Sequence, residues 1–151
     1  PGSTLQGAIG QRASLVDSAF SPSGDMVAGL LHSEMFRVVS WSLHIWNATS
    51  GELLSSRSIM SPPPALGSKL DAFAFDGERI LLCFGTHIPS LLYKVRRHAR
   101  SCELADAHWR ETCADAMLSH GLVVTGNGST VRIRRLFEEG GPETAAEASI
   151  P

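Results

Sequence analysis

Four side chains that could bind zinc lie within 16 residues of this 151-residue chain. They are His98, Cys102, His108 and Cys113. Structural zinc takes four nitrogen or sulfur ligands in a tetrahedron, and two Cys with two His form a known set. The spacing contains neither a Cys-x2-Cys nor a His-x3-His pair, so ordinary strand and loop residues are the main interpretation. A zinc-stabilised module remains the alternative.

The sequence shows no clear catalytic motif. The chain contains no Gly-x-Ser-x-Gly nucleophile motif. The sequence GNGST at 126–130 has the composition of a phosphate loop, but a strand with β-branched residues and Arg follows it. A phosphate loop would open a helix and be followed by Lys, so a hairpin turn is the better interpretation. We therefore expect a non-catalytic protein with no cofactor and no bound metal.

Basic residues form two clusters, at 94–100 and 132–135. Such clusters are either solvated surfaces or binding sites for an acidic protein or for RNA phosphates. Base stacking has little support, since Tyr93 is the one aromatic residue nearby. An acidic partner is thus favoured over RNA. The candidate partner-binding residues of the first cluster are Arg96, Arg97 and Arg100.

The segment 32–41 is a second candidate contact surface. It carries Met35, Phe36, Arg37 and Trp41. Methionine, aromatic residues and arginine are enriched at the centres of protein interfaces. The alternative is a longer strand whose apolar side chains pack in the core, and the sequence leaves both interpretations open.

Short apolar runs separated by turns rich in Gly, Pro and Ser predict β-strands to position these residues. Glycines in equivalent turns, Gly24, Gly77 and Gly121, are separated by 53 and 44 residues. Four short strands repeated about every 45 residues are typical of radial β-repeats. The predicted units span 14–58, 70–110 and 112–137.

Two short sequences resemble the WD40-repeat family. SPSGD at 21–25 is similar to the turn between the first two strands of a WD40 blade, and LHIWN at 43–47, followed by TSG, is similar to its end. The resemblance is best over 14–58 and weaker over 70–100 and 112–137. It implies an all-β fold of WD40-like β-propeller blades and a non-catalytic scaffold or adaptor that binds other proteins.

The number of predicted blades indicates that the chain functions as part of a larger assembly. Closed propellers have four to eight blades, whereas 14–137 supplies about three. We therefore expect part of a larger or composite propeller, completed by another chain or segment within a complex. Residues 1–13 are expected to form an extension that contributes the last strand of a preceding blade. The acidic, Ala-rich 138–151 is expected to be a mobile tail.

The composition excludes several classes of protein. The formal net charge of −2 is unlike that of a general nucleic-acid binder, and no apolar run approaches the roughly 20 residues of a membrane-spanning helix. Three cysteines are too few for a disulfide scaffold, and their odd number favours reduced thiols. Together these features predict an intracellular protein, cytoplasmic or nuclear.

Overall fold

The computed structural model describes residues 13–35, 38–59, 70–85, 87–107, 109, 111–136 and 143–149. Within these ranges the chain forms twelve β-strands and no helix, which confirms the all-β class. Accordingly, the described residues contain no helix long and apolar enough to cross a membrane. The strands are β1 (Ala13–Phe20), β2 (Met26–Met35), β3 (Val38–Asn47), β4 (Leu53–Ser58), β5 (Ala72–Phe75), β6 (Arg79–Cys83), β7 (Leu91–Arg97), β8 (Cys102–Asp106), β9 (Asp115–Ser119), β10 (Leu122–Asn127), β11 (Thr130–Arg135) and β12 (Glu143–Ser149).

Three antiparallel sheets of four strands follow one another along the chain. Sheet 1 contains β1 to β4, sheet 2 contains β5 to β8, and sheet 3 contains β9 to β12. In every sheet the strands are hydrogen-bonded in sequence order, so each sheet is a meander. Four-stranded, blade-like meanders are therefore confirmed as the building unit.

The first turn of each sheet depends on one glycine. The φ angles are 75° at Gly24, 90° at Gly77 and 77° at Gly121, all in the left-handed region. Glycine occupies this region readily because it has no Cβ. The glycine interval in the sequence thus marks equivalent turns in the three sheets.

The sheets stack in chain order with their first strands adjacent. β1 contacts β5, and β5 contacts β9, while the last strands β4 and β8 also meet. Sheet 2 consequently lies between the other two. Its strand β6 is buried along its whole length.

Alternation along the strands produces two apolar cores. In β6, Ile80 and Leu82 face the first core, between sheets 1 and 2, whereas Leu81 and Cys83 face the second, between sheets 2 and 3. The first core also includes Leu30, Leu43, Ile45, Phe75, Tyr93 and Val95. The second also includes Ala74, Leu92, Trp109, Cys113 and Val123.

The C-terminal strand corrects one expectation. Residues 143–149 form β12, which pairs with β11 and places Ala146 opposite Ile133, where a mobile tail was expected. Alanine and glutamate have low β-propensity, so composition predicts no strand here. Backbone hydrogen bonds to the neighbouring strand produce one nevertheless. Residues 1–12 of the expected extension lie outside the described ranges, and Ala13 already belongs to β1.

Candidate functional site

A groove of about 190 Å³ lies between sheets 1 and 2, where β7 turns into β8. A more open depression of about 560 Å³ adjoins it, since both share His98, Ser101 and Cys102. The depression continues between β4 and β8 past Arg57. We call the two together the basic groove. Its basic side chains are Arg57, Arg97, His98 and Arg100.

The turn between β7 and β8 presents two of these side chains. It is closed by a hydrogen bond of 2.8 Å from the His98 N–H to the Ser101 carbonyl. Both His98 and Arg100 are exposed. His98 Nε2 lies 3.7 Å from the carboxylate of Glu103 on β8. Arg100 pairs with no carboxylate in the described part of the chain.

An ion pair forms one wall of the groove. Arg97 Nη1 lies 3.0 Å from Asp25 Oδ2 in the first turn of sheet 1. The other oxygen of Asp25 accepts hydrogen bonds from the hydroxyls of Ser23 and Ser21, at 2.6 and 2.8 Å. These two hydroxyls, and then Arg97, lower the pKa of Asp25 from 3.8 to about 2. The carboxylate therefore stays ionised and holds Arg97 in place.

Arg57 connects the last strands of the two sheets. Its Nη1 donates a hydrogen bond of 2.7 Å to the carbonyl of Leu104 on β8. Its guanidinium carbon lies 5.3 Å from the ring centroid of Tyr93, within cation–π range. Burial raises the pKa of Tyr93, and the charge of Arg57 partly offsets this. The floor of the groove is therefore fixed by packing as well as by charge.

The predicted trio of arginines is divided between two faces. Tyr93 and Val95 of β7 face the first core, so Arg97 continues on that side. Leu92 faces the second core, so Arg96 continues on the opposite side. The structure thus brings Arg97 and Arg100 together in the groove and leaves Arg96 outside it.

Trp41, which was predicted to contact a partner, lies in the core, in agreement with the alternative interpretation of a longer strand. Its side chain is buried in the first core and meets the rings of Phe84 and His32 edge-on, at 6.4 and 5.2 Å. It shares a strand face with Leu43 and Ile45, two and four residues further on.

The structure describes only some of the other residues in the segment 32–41. Met35 is the last residue of β2 and pairs with Val38, so β2 and β3 extend through most of the segment. This extended pairing agrees with the longer-strand interpretation. Phe36 and Arg37 lie outside the described residues, and their contact with a partner stays a prediction.

The candidate zinc ligands of the alternative interpretation are not brought together among the described residues. Cys113 is bonded to Cys83 in a disulfide, so its thiolate is not available to a metal. His98 faces Glu103, and His108 lies outside the described residues. In the ranges that the structure describes, no three His, Cys, Asp or Glu side chains are grouped to hold a metal ion.

The same disulfide corrects the expectation of reduced thiols. Cys83 and Cys113 are fully buried, 30 residues apart in sequence, and connect sheet 2 to the segment before sheet 3. Cys102 is the free cysteine. Burial raises its pKa, and Arg97 partly opposes this, so its thiol stays protonated near neutral pH.

The second basic cluster does not form a common surface. Arg134 faces the second core, where its Nη2 lies 2.5 Å from Glu111 Oε1 and its guanidinium carbon lies 6.0 Å from the ring centroid of Trp109. It therefore stabilises the contact between sheets 2 and 3. Arg132 projects from the same face as Arg134, as alternation predicts, while Arg135 projects from the other.

Two groove residues, Asp25 and Arg57, were not anticipated from the sequence. They lie 72 and 47 residues from the groups they bind, Arg97 and the Leu104 carbonyl, so packing alone brings them together. No protein-family model and no curated protein matched the sequence. Functional inference therefore rests on the groove and on the sheets that form it.

Proposed function

We propose that this protein is a non-catalytic interaction module, a WD40-like propeller segment that serves as a scaffold or adaptor within a larger complex. We propose further that its basic groove binds an acidic segment of a partner protein. The observation that carries the proposal is the position of Arg97 and Arg100, which line one groove between two packed sheets. Rigid strands that present loop side chains are a common basis of recognition.

The charges in the groove favour a carboxylate ligand. Asp25 already occupies Arg97 and shows that its guanidinium meets a carboxylate at hydrogen-bond distance. Arg100, beside it on an exposed turn, has its charge available for a partner. Tyr93 is buried under Arg57, so the groove lacks the exposed aromatic surface on which bases stack. An acidic protein segment therefore fits better than RNA.

The test uses fluorescence anisotropy with labelled oligoglutamate, oligolysine and oligouridylate as probes. We expect the chain to bind oligoglutamate, with an affinity that falls as salt rises. The Arg100→Glu variant should bind it at least about tenfold more weakly, which corresponds to about 1.4 kcal/mol. Arg96→Glu is the matched control, because it makes the same charge change on the opposite face of β7 and should alter binding less than about twofold.

Three results would contradict the proposal. Absence of oligoglutamate binding would remove it. Equal losses in Arg96→Glu and Arg100→Glu would mean that net charge, and not the groove, governs binding. Tighter binding of oligouridylate, with the same dependence on Arg100, would replace the acidic partner by RNA.

An intracellular location is part of the proposal, with one constraint from the Cys83–Cys113 disulfide. Disulfides persist in oxidising compartments, which weighs against the reducing cytoplasm or nucleus. Cells should be quenched in acid and the chain denatured in the presence of an alkylating reagent, so that buried free thiols also react. Modification of Cys102 alone would support an oxidising compartment, and modification of all three cysteines would support a reducing one.

A further inference from the structure

The last strand of sheet 1, β4, has an open edge beside the basic groove. Within the part of the chain that the structure describes, β4 pairs with β3 and with no strand on its other side. Ser56, Arg57 and Ser58 are all exposed. An open edge presents unpaired N–H and C=O groups, which can pair with an extended segment of another chain.

The register of β4 shows which backbone groups face the open edge. The Ile59 N–H donates a hydrogen bond of 2.9 Å to the carbonyl of Trp41 on β3. Hydrogen-bonded and non-hydrogen-bonded pairs alternate in an antiparallel ladder, so Arg57, two residues earlier, also bonds to β3. Ser56 and Ser58 occupy the positions between. Their N–H and C=O groups therefore point away from β3, towards the open edge.

The corresponding edge of sheet 2, on β8, is less suited to an acidic segment. The carbonyl of Leu104 on this edge already accepts the hydrogen bond of 2.7 Å from Arg57. β8 also carries two exposed acidic side chains, Glu103 and Asp106, which would repel an acidic strand. β4 contains no carboxylate. Of the two strands that border the depression, β4 is thus the one open to an acidic partner.

The depression is placed to receive side chains of a strand added to β4. It is lined by Ser55, Ser56 and Arg57 of β4 and, opposite them, by His98 of sheet 2. Neighbouring strands lie about 4.8 Å apart, and successive side chains point to opposite faces. Every second side chain of an added strand would therefore point towards sheet 2, on the side where Arg57 covers Tyr93. The guanidinium on that side favours carboxylates at these positions.

We propose that the acidic segment binds as an extended strand that pairs with the open edge of β4. Its backbone bonds to Ser56 and Ser58, and every second side chain, an acidic one, enters the basic groove. This inference rests on the proposed function, since it names how the same acidic partner is bound. In strand addition, main-chain hydrogen bonds supply affinity and alternate side chains supply specificity.

Oligoglutamate probes that differ only in backbone methylation give the first test. A strand pairs along one edge through the N–H of every second residue. Methylation of every second nitrogen leaves one pairing edge, so the affinity should change less than about threefold. Methylation of every nitrogen leaves none, so binding should weaken at least about tenfold. Equal affinities of the two methylated probes would overturn the inference, because their charges are the same.

Ser56→Pro gives the second test, with Ser56→Ala as the matched control. The proline removes one N–H at the open edge and no bond to β3, so circular dichroism should show an intact fold. The proline variant should bind unmethylated oligoglutamate at least about fivefold more weakly. The alanine variant keeps the N–H and should bind within about twofold of the unchanged chain. Undiminished binding by a folded Ser56→Pro variant would overturn the inference.

Amide hydrogen exchange in the unchanged chain locates the added strand. Bound oligoglutamate should slow exchange at Ser56 and Ser58, whereas the amide of Arg57, already bonded to β3, should change little. Protection of amides on β8 instead of β4 would overturn the inference.

The two proposals fail in different ways. Oligoglutamate binding that depends on Arg100, but not on backbone methylation or on the N–H of Ser56, would leave the proposed function standing and remove the strand addition. Absence of oligoglutamate binding would remove both.

Discussion

The guanidinium of Arg97 lies 3.0 Å from the carboxylate of Asp25, 72 residues earlier in the chain. The pair connects the end of β7 in sheet 2 to the first turn of sheet 1. Both side chains are about half exposed, so solvent weakens the attraction. The hydroxyls of Ser21 and Ser23 hold the carboxylate in the same turn, which gives Arg97 a fixed position at the edge of the groove.

Replacement of Asp25 by Asn should reduce stability near neutral pH by about 0.5–1 kcal/mol, a value discounted for solvent screening. The folded-state pKa of Asp25, about 2, is below its ordinary value of 3.8. Its contribution is therefore present above pH 3.8 and is lost as the pH falls towards 2. Urea unfolding across this range should show a shallower acid loss in Asp25→Asn than in the unchanged chain.

The control for this prediction is Asp17→Asn. Asp17 is exposed and accepts a local hydrogen bond from the N–H of Ser18. Its replacement should cost less stability near neutral pH than Asp25→Asn, because its carboxylate forms no ion pair in the described part of the chain. Parallel curves for Asp25→Asn and the unchanged chain would contradict the assignment of acid sensitivity to Asp25.

Two strand glycines should respond to alanine in opposite directions. A Cβ on Gly29 would lie 2.9 Å from Cζ3 of the buried Trp46 and 3.0 Å from Cδ1 of Leu15. Leu15 can move but Trp46 cannot, so Gly29→Ala should cost about 1–3 kcal/mol. A Cβ on Gly126 would have its nearest neighbour at 3.8 Å, an ordinary contact. Gly126→Ala should therefore be neutral or stabilising by about 0.4–1 kcal/mol.

Thermal and urea unfolding of the two alanine variants measure this difference. The comparison is matched, because both glycines lie in central strands and neither has a left-handed backbone. Equal stability of the two variants would show that Trp46 is not closely packed on Gly29.

The repeated meander can be predicted from the sequence because the residues that specify its turns are local. Each of Gly24, Gly77 and Gly121 marks a turn that needs a left-handed residue, wherever the neighbouring sheets lie. The burial of Trp41 also has a local signal, its alternation with Leu43 and Ile45. The aromatic side chain suggested an interface, but its position on the strand face places it in the core.

Other features depend on contacts between distant segments. The Cys83–Cys113 disulfide joins residues 30 apart, and neither cysteine has a spacing motif. The division of Arg96 and Arg97 between two faces is predictable from alternation, whereas the partners Asp25 and Arg57 arrive only through packing of the sheets. Strand β12 forms through backbone pairing, which composition does not encode.

The disulfide should provide a measurable part of the stability. A loop closed by residues 30 apart corresponds to about 3.6 kcal/mol in the chain-entropy account. The double variant Cys83→Ala, Cys113→Ala should lose about that much in urea unfolding, whereas Cys102→Ala should lose less, since Cys102 is free and only partly buried. Reaction of all three thiols in the unreduced, denatured chain would contradict the pairing.

His44 should make the fold sensitive to mild acid. Its ring is buried, stacks on Trp46 with centroids 5.4 Å apart, and has Nε2 2.9 Å from the hydroxyl of Ser42. Burial lowers the pKa of His44 below its ordinary value of 6.5. Stability is therefore highest above pH 6.5 and declines as the pH falls towards the folded-state pKa, because the unfolded chain gains the proton more readily.

The measurement is the unfolding free energy of the unchanged chain and of His44→Gln between neutral pH and the onset of carboxylate titration. The difference between the two should shrink or reverse as the pH falls, since the variant has no imidazole to protonate. His98→Gln serves as control, because His98 is exposed and its replacement should cost less stability at neutral pH than that of the buried His44. A pH-independent difference for His44→Gln would show that His44 contributes by packing on Trp46 and not through its protonation.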